Sequence, residues 1–403
     1  MPTFAYVVKD KSGKTHSGTL DTASRNALIE QLWKQEFVVL SIDERSQNRP
    51  SLLKVGQPRI KAEALVVFSR QLATMVDSGI PIASALDVLA EQLEDRNFQH
   101  TLKKLRDDIE AGASLSEATA RYPKAFSEFF VNMIRAGESS GRLDEILDRV
   151  AGYLEKVSAL QRKVQASLFY PAFVSVLAFS ITTFLIIVIV PKFKEIFTSL
   201  GGQLPLPTQL LLGLSEFMGK YLVYEILGAV ALGIGFRMYV TTPQGRLWFD
   251  TLILKVPVLG KLLQKVVIAR FSRTLATLAK SGVPILGSLE IVAKTSGNKV
   301  IERAVMAARS SIKEGENIAD PLAASKAFPP MVTRMISVGE KTGELEKMLT
   351  KIADFYENEV DAAVTAITSL IEPLVIAVLG VIIGGIVVAL FLPIFKISTL
   401  VGH

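Results

Sequence analysis

Residues 68–81 read FSRQLATMVDSGIP, and residues 271–284 read FSRTLATLAKSGVP. Nine of the fourteen positions are identical at an offset of 203. Downstream, Gly137-Glu138-Ser139-Ser140-Gly141-Arg142-Leu143 returns as Gly339-Glu340-Lys341-Thr342-Gly343-Glu344-Leu345, at an offset of 202. Pro171 with Pro373 and Pro191 with Pro393 keep that second offset. Chance does not readily hold one register over about 120 residues, so the chain carries one unit twice.

Inside each copy the pattern is helical. Leu65, Phe68, Leu72, Met75 and Val76 fall on one face of a 3.6-residue period. Gly79 suits a left-handed C-terminal cap, and Pro81 the first turn of a following helix. Gly282 and Pro284 repeat the device. Ser114 with Glu117 reads as a capping box, with Asn317 and Asp320 in nearly the same place. The pattern predicts about six helices per copy.

Each copy then runs into a greasy stretch. Residues 172–190, AFVSVLAFSITTFLIIVIV, and residues 374–392, LVIAVLGVIIGGIVVALFL, carry no charge. Nineteen helical residues rise roughly 28 Å, close to the hydrocarbon thickness of a bilayer. Prolines bracket both stretches. A third candidate, 221–240, has Glu225 near one end and Arg237 near the other, where both reach an interface by snorkelling. Two repeats on one side of a membrane need an even number of crossings between them, which supports this span. Hydrophobic residues make up 49% of the 403, against 21% charged, which fits a membrane protein with sizeable wetted domains.

The first 45 residues differ. FAYVVKD and KTHSGTL alternate in strand fashion, a helix is expected over 24–35, and a short strand over 37–42. Residues 46–60 read as a linker. The N-terminus lacks the apolar core of a signal peptide, which places it in the cytoplasm. The expected fold is therefore an all-α membrane protein with a small α+β N-terminal unit. It comprises a ββαβ unit (1–45), a linker (46–60), a first cytoplasmic helical repeat (61–170) and a first transmembrane helix (171–191). An external loop (192–220), a second transmembrane helix (221–240), a second repeat (241–372), a third transmembrane helix (373–393) and an external tail (394–403) complete it.

Chemistry is scarce in this sequence. With no cysteine, there is no disulfide, thiolate metal site or cysteine nucleophile. His16, His100 and His403 have no ligand-type spacing. No GxxxxGK[ST] loop, GxSxG or HExxH occurs, so no cofactor and no catalysis are expected. The net charge of +6 is met by basic residues flanking spans, without nucleic acid as a direct partner.

SRxLATxxxSGxP twice, GExxGxL twice, Leu204 to Thr208 (LPLPT) and Ile371-Glu372-Pro373 resemble the inner-membrane platform proteins of type IV pilus and type II secretion machines. The resemblance covers nearly the whole chain. It implies a multi-pass scaffold in the bacterial cytoplasmic membrane, with its N-terminus inside and C-terminus outside. It further implies a hexameric cytoplasmic ATPase, pilins or pseudopilins and other inner-membrane assembly proteins as partners, and a homo-oligomeric state. A transporter or channel is the alternative class, but the spans carry almost no polar groups at depth.

Several residues are candidates for partner contact. Gly137, Gly141, Gly339 and Gly343 suggest tight helix corners, where Glu138 and Glu340 can accept backbone N–H groups at the next helix start. Arg70 and Arg273 sit in apolar helices and can pair with Glu138 and Glu340. Glu372 precedes Pro373 at the inner edge of the last span, where its repeat mate is Tyr170; Glu225 sits near another edge. Ala377, Gly380, Gly384 and Gly385 give the last span a small-residue face, for close packing on another chain or on its own spans.

Overall fold

The computed structural model describes residues 3–9, 15–21, 29, 32, 33, 37–45, 60–199 and 205–401. The chain divides into two units, Met1–Arg59 and Ile60–His403. In the first, strands β1 (Thr3–Lys9), β2 (Thr15–Asp21) and β3 (Val38–Arg45) form an antiparallel sheet in the order β2-β1-β3. A register shift falls between Val7 and Val8, where β1 meets β3. Val8 and Leu32 are buried, flanked by Leu20, Ile29, Phe37 and Val39. Most of the helix expected over 24–35, and the linker up to residue 59, lie outside the described residues.

In the second unit, the first repeat has six helices among the described residues: α1 (Ala62–Asp77), α2 (Ile82–Gln92), α3 (Arg96–Glu110), α4 (Leu115–Ala120), α5 (Glu128–Ser140) and α6 (Leu143–Phe184). Phe68 and Leu72 bury the apolar face of α1. Phe68 meets Phe98 edge-on at 5.3 Å and Phe126 at 6.0 Å, so one aromatic cluster ties α1 to α3 and to the segment before α5. The α1–α2 corner closes through Gly79 at φ +80°, with the Ile80 N–H donating to the Met75 carbonyl. Only glycine adopts that left-handed backbone at little cost.

Repeat two has the same order: α10 (Leu259–Lys280), α11 (Ile285–Thr295), α12 (Lys299–Lys313), α13 (Ala319–Ala324), α14 (Pro330–Thr342) and α15 (Leu345–Val401). Gly282, at φ +73°, repeats the first corner, and Phe271 packs on Phe328 at 4.8 Å as Phe68 packs on Phe126. Pro81 and Pro284 stand at the N-cap, one place before the first turn. The capping box of Ser114 and Glu117 is present. Its expected counterpart is not: Ile318 stands at the N-cap of α13, which has no side-chain cap from its own turn.

Three helices, spanning Leu143–Phe193, Leu206–Thr241 and Leu345–Pro393, are long and apolar enough to cross a membrane by length and composition. The prolines that bracket the two uncharged stretches lie within continuous helix. α6 passes through Pro171, and α15 passes through Pro373 and Pro393. Ahead of Pro191 the helix widens into a π turn, Leu185–Ile189, before continuing as α7 (Val190–Ser199). Proline lacks an N–H and crowds the carbonyl four residues back, and a local π turn is one way a helix absorbs this.

The external loop expected over 192–220 is largely helical instead, because α7 reaches Ser199 and α8 spans Leu206–Thr241. The start of α8 packs on the far ends of the other two spans, in a cluster of Ile186, Val190, Leu212, Ile386 and Leu390. There the buried Thr208 hydroxyl donates to the Ala389 carbonyl at 2.5 Å, and Ser215 donates to the Ile186 carbonyl at 2.6 Å. The expected tail also continues α15 as far as Val401. An additional helix, α9 (Pro243–Lys255), joins α8 to repeat two.

Candidate functional site

The Gly-Glu-x-x-Gly sequences build two matching corners. α5 ends at Gly141 (φ +69°), and α14 ends at Gly343 (φ +74°). Four residues earlier, Gly137 and Gly339 lie where a side chain has no room. A Cβ on Gly137 would stand 3.0 Å from Ile146 Cβ, and one on Gly339 would stand 2.9 Å from Leu345 Cα. These glycines let α5 and α14 lie close against the helices that lead to the membrane.

The glutamates act on an earlier helix than the sequence suggested. Glu138 Oε1 accepts the Ser116 N–H at 3.1 Å, in the first turn of α4. Both Glu340 oxygens accept the Ile318 N–H, at 2.8 and 3.1 Å, at the start of α13. A carboxylate there meets the unpaired N–H groups and the positive end of a short helix.

Arg70 and Arg273 do not pair with those glutamates, which are committed to backbone. Arg70 Nε donates to Glu155 at 2.6 Å and Nη1 to Asp148 at 2.5 Å. Arg273 Nε donates to Glu357 at 2.8 Å and Nη2 to Asp354 at 2.5 Å. Glu155 and Glu357 are repeat mates, so each pair fastens a repeat's first helix to its last. The hydrogen bond from Arg70 holds the Glu155 carboxyl below its ordinary range. The folded form therefore binds that proton less readily than the unfolded chain. The pair's contribution is full at neutral pH and fades as pH falls through the carboxylate range, about 4.3 and lower. Chemical denaturation in detergent at pH 7 and pH 4 should show a smaller pH-dependent loss for Glu155→Gln than for the parent.

The repeats also join each other. The Tyr153 hydroxyl and Thr274 Oγ1 lie 2.9 Å apart, both residues buried. Arg149 donates to the Lys280 carbonyl at 2.8 Å, capping the end of α10, and Lys294 pairs with Glu128 at 2.9 Å. Nearer the spans, Lys163 meets Asp361 at 2.7 Å, and Leu160 and Val164 pack on Leu262, Val360, Val364 and Ile367. Burial pushes the Tyr153 phenol above its usual pKa. Tyr153→Phe should cost about 1 kcal/mol of stability, read as a lower denaturation midpoint, because Thr274 loses a buried partner.

Glu225 is half-exposed on α8 and makes no ion pair among the described residues. Glu372 and Pro373 fall inside α15; the Glu372 side chain lies outside the described residues. At Gly380, Gly384 and Gly385 no heavy atom of the described residues stands within 4 Å of a would-be Cβ, so the described parts of the chain's other spans do not cover these glycines.

A family model described as type II secretion system (T2SS), protein F, matches residues 68–191 and again 271–393. The chain belongs to this family. Each match begins at the first phenylalanine of the repeated motif and ends at the proline after the span, so the family unit is a bundle together with its membrane helix. A second model, the family's N-terminal domain, matches residues 1–43. A type IV pilus assembly protein PilC of Thermus thermophilus is 43% identical over 98% of this chain and 98% of its own length. PilC of Myxococcus xanthus is 38% identical over 98% of this chain and 95% of its own. A type II secretion system protein F of Vibrio cholerae is 33% identical over the full length of both.

The family motifs are thus corners and clamps of the repeat. Sequence reasoning missed the joint between repeats, made by Arg149, Tyr153, Thr274 and Lys294. The available signal was divergence: their repeat mates are Lys351, Phe355, Gln71 and Glu91.

Proposed function

We propose that this chain is a non-enzymatic platform in a bacterial cytoplasmic membrane, coupling a cytoplasmic hexameric ATPase to pilin or pseudopilin assembly. The supporting observation is mechanical. α15 is one helix of 57 residues, starting in the repeat-two bundle and running through the last span. α6 does the same for 42 residues before its π turn. At 1.5 Å per residue, α15 extends about 85 Å, enough to carry a bundle displacement across a bilayer. The names of the relatives, pilus assembly proteins and secretion components, agree with such a role.

In this reading the N-terminus is cytoplasmic, residues 1–45 form a small α+β unit on a linker to 60, and the two bundles face the motor. Other inner-membrane assembly proteins meet the chain at its spans. The full-length chain in lipid nanodiscs should retain a hexameric secretion ATPase from the same bacterium at micromolar concentration, and should hydrolyse no nucleotide alone. Failure to retain the ATPase, or unaided hydrolysis, would contradict the reading.

A further inference from the structure

The joint between repeats uses unlike surfaces. Repeat one contributes the α5–α6 face, with Glu128, Phe129, Arg149 and Tyr153. Repeat two contributes the α10–α11 face, with Thr274, the end of α10 and Lys294, and the buried Ile291 lies on the same α11. Each repeat also carries a copy of the face that its neighbour uses, and those copies are open. Phe129 is 1% exposed and its mate Met331 38%; Tyr153 is 8% and its mate Phe355 46%; Ile291 is 4% and its mate Val88 43%. A contact between unlike faces of two similar units leaves one face of each kind unused, and further copies can add by the same operation.

We infer that the α14–α15 face of repeat two docks on the α1–α2 face of repeat one in a second copy of this chain. Continuity with the internal joint gives the geometry: Phe355 takes the place of Tyr153, and Gln71 that of Thr274. Charge agrees. The repeat-two face carries Arg334 and Lys351, and the repeat-one face carries Asp77 and Glu91, none of them in an ion pair among the described residues. Lys351, the mate of Arg149, would reach the α1 terminus at Asp77, where a carboxylate adds to the open carbonyls.

The operation also suits a membrane. Lys163 pairs with Asp361 near the bundles, and Ile186 clusters with Ile386 farther along, so α6 and α15 run side by side in the same sense. A copy added by the operation that relates the repeats therefore keeps its spans upright in the same bilayer.

The proposal stands apart from motor coupling, since its test reads assembly alone. The chain has no cysteine, which gives a clean background. Two differently tagged copies, one Gln71→Cys and one Phe355→Cys, are co-expressed and treated in native membranes with a short bismaleimide, whose span replaces the length of the side chains removed. The expected result is a two-chain product bearing both tags, absent when either copy is expressed alone. Both positions are exposed, so folding is not at risk. Loss of the mixed product would overturn the proposal. So would self-crosslinking of Phe355→Cys copies, or equal product when Lys103→Cys on α3 replaces Gln71→Cys.

Discussion

Gly339→Val should lower the stability of the second repeat by about 3 kcal/mol, the upper part of the range for overpacking a filled site. The new Cβ would meet Leu345 Cα at 2.9 Å and Met348 Cγ at 3.0 Å. A methionine end can swing aside, but a backbone Cα at the start of α15 cannot move without α15 moving too. The corner would open, and Glu340 would be drawn from the Ile318 N–H that it holds at 2.8 Å. Urea denaturation of the detergent-solubilised chain should show a lower midpoint, with limited proteolysis appearing first between α13 and α15. Gly137→Val should do the same with a smaller loss, because its nearest clash is the Ile146 side chain, which can adjust.

Arg273→Ala should cost about 2 kcal/mol, and Arg70→Ala about half of that, a range set by hydrogen bonds to charged groups. Both arginines bind two carboxylates, yet their surroundings differ. The Arg273 side chain is 9% exposed and that of Arg70 is 38% exposed. Burial works against the Arg273 charge, but the hydrogen bonds it donates to Glu357 and Asp354 outweigh it and raise its pKa. Removing that cation leaves Glu357 half-buried beside an empty pocket. Removing Arg70 leaves Asp148 and Glu155 to water, which screens much of the loss. Paired denaturation curves check the order; an equal or reversed cost would show that burial does not set it.

The duplication was legible because each copy must solve the same local problems. Only glycine fits the left-handed corners at 79, 141, 282 and 343, and a 19-residue uncharged run has few fates outside a bilayer. The arginine partners were not legible. Spacing along one helix says nothing about a carboxylate 85 residues away, and Glu138 looked available until the α4 backbone claimed it. The prolines that bracket the uncharged stretches did not tell whether the helices end there; α15 runs on through Pro373 and Pro393. The joint between repeats lay furthest out of reach, since it depends on how two folded bundles meet.

Stiffness of the bundle-to-membrane helices is the property on which the coupling account turns. It can be tested by inserting four residues between Thr368 and Ser369, about one helical turn, so that the faces of α15 stay nearly in register. Four alanines keep the helix; four glycines weaken it by roughly 1 kcal/mol each. Pilus or secretion output should survive the alanine insertion and vanish with the glycine insertion, at equal membrane levels and equal ATPase capture. Wild-type output from the glycine-inserted chain would contradict the account.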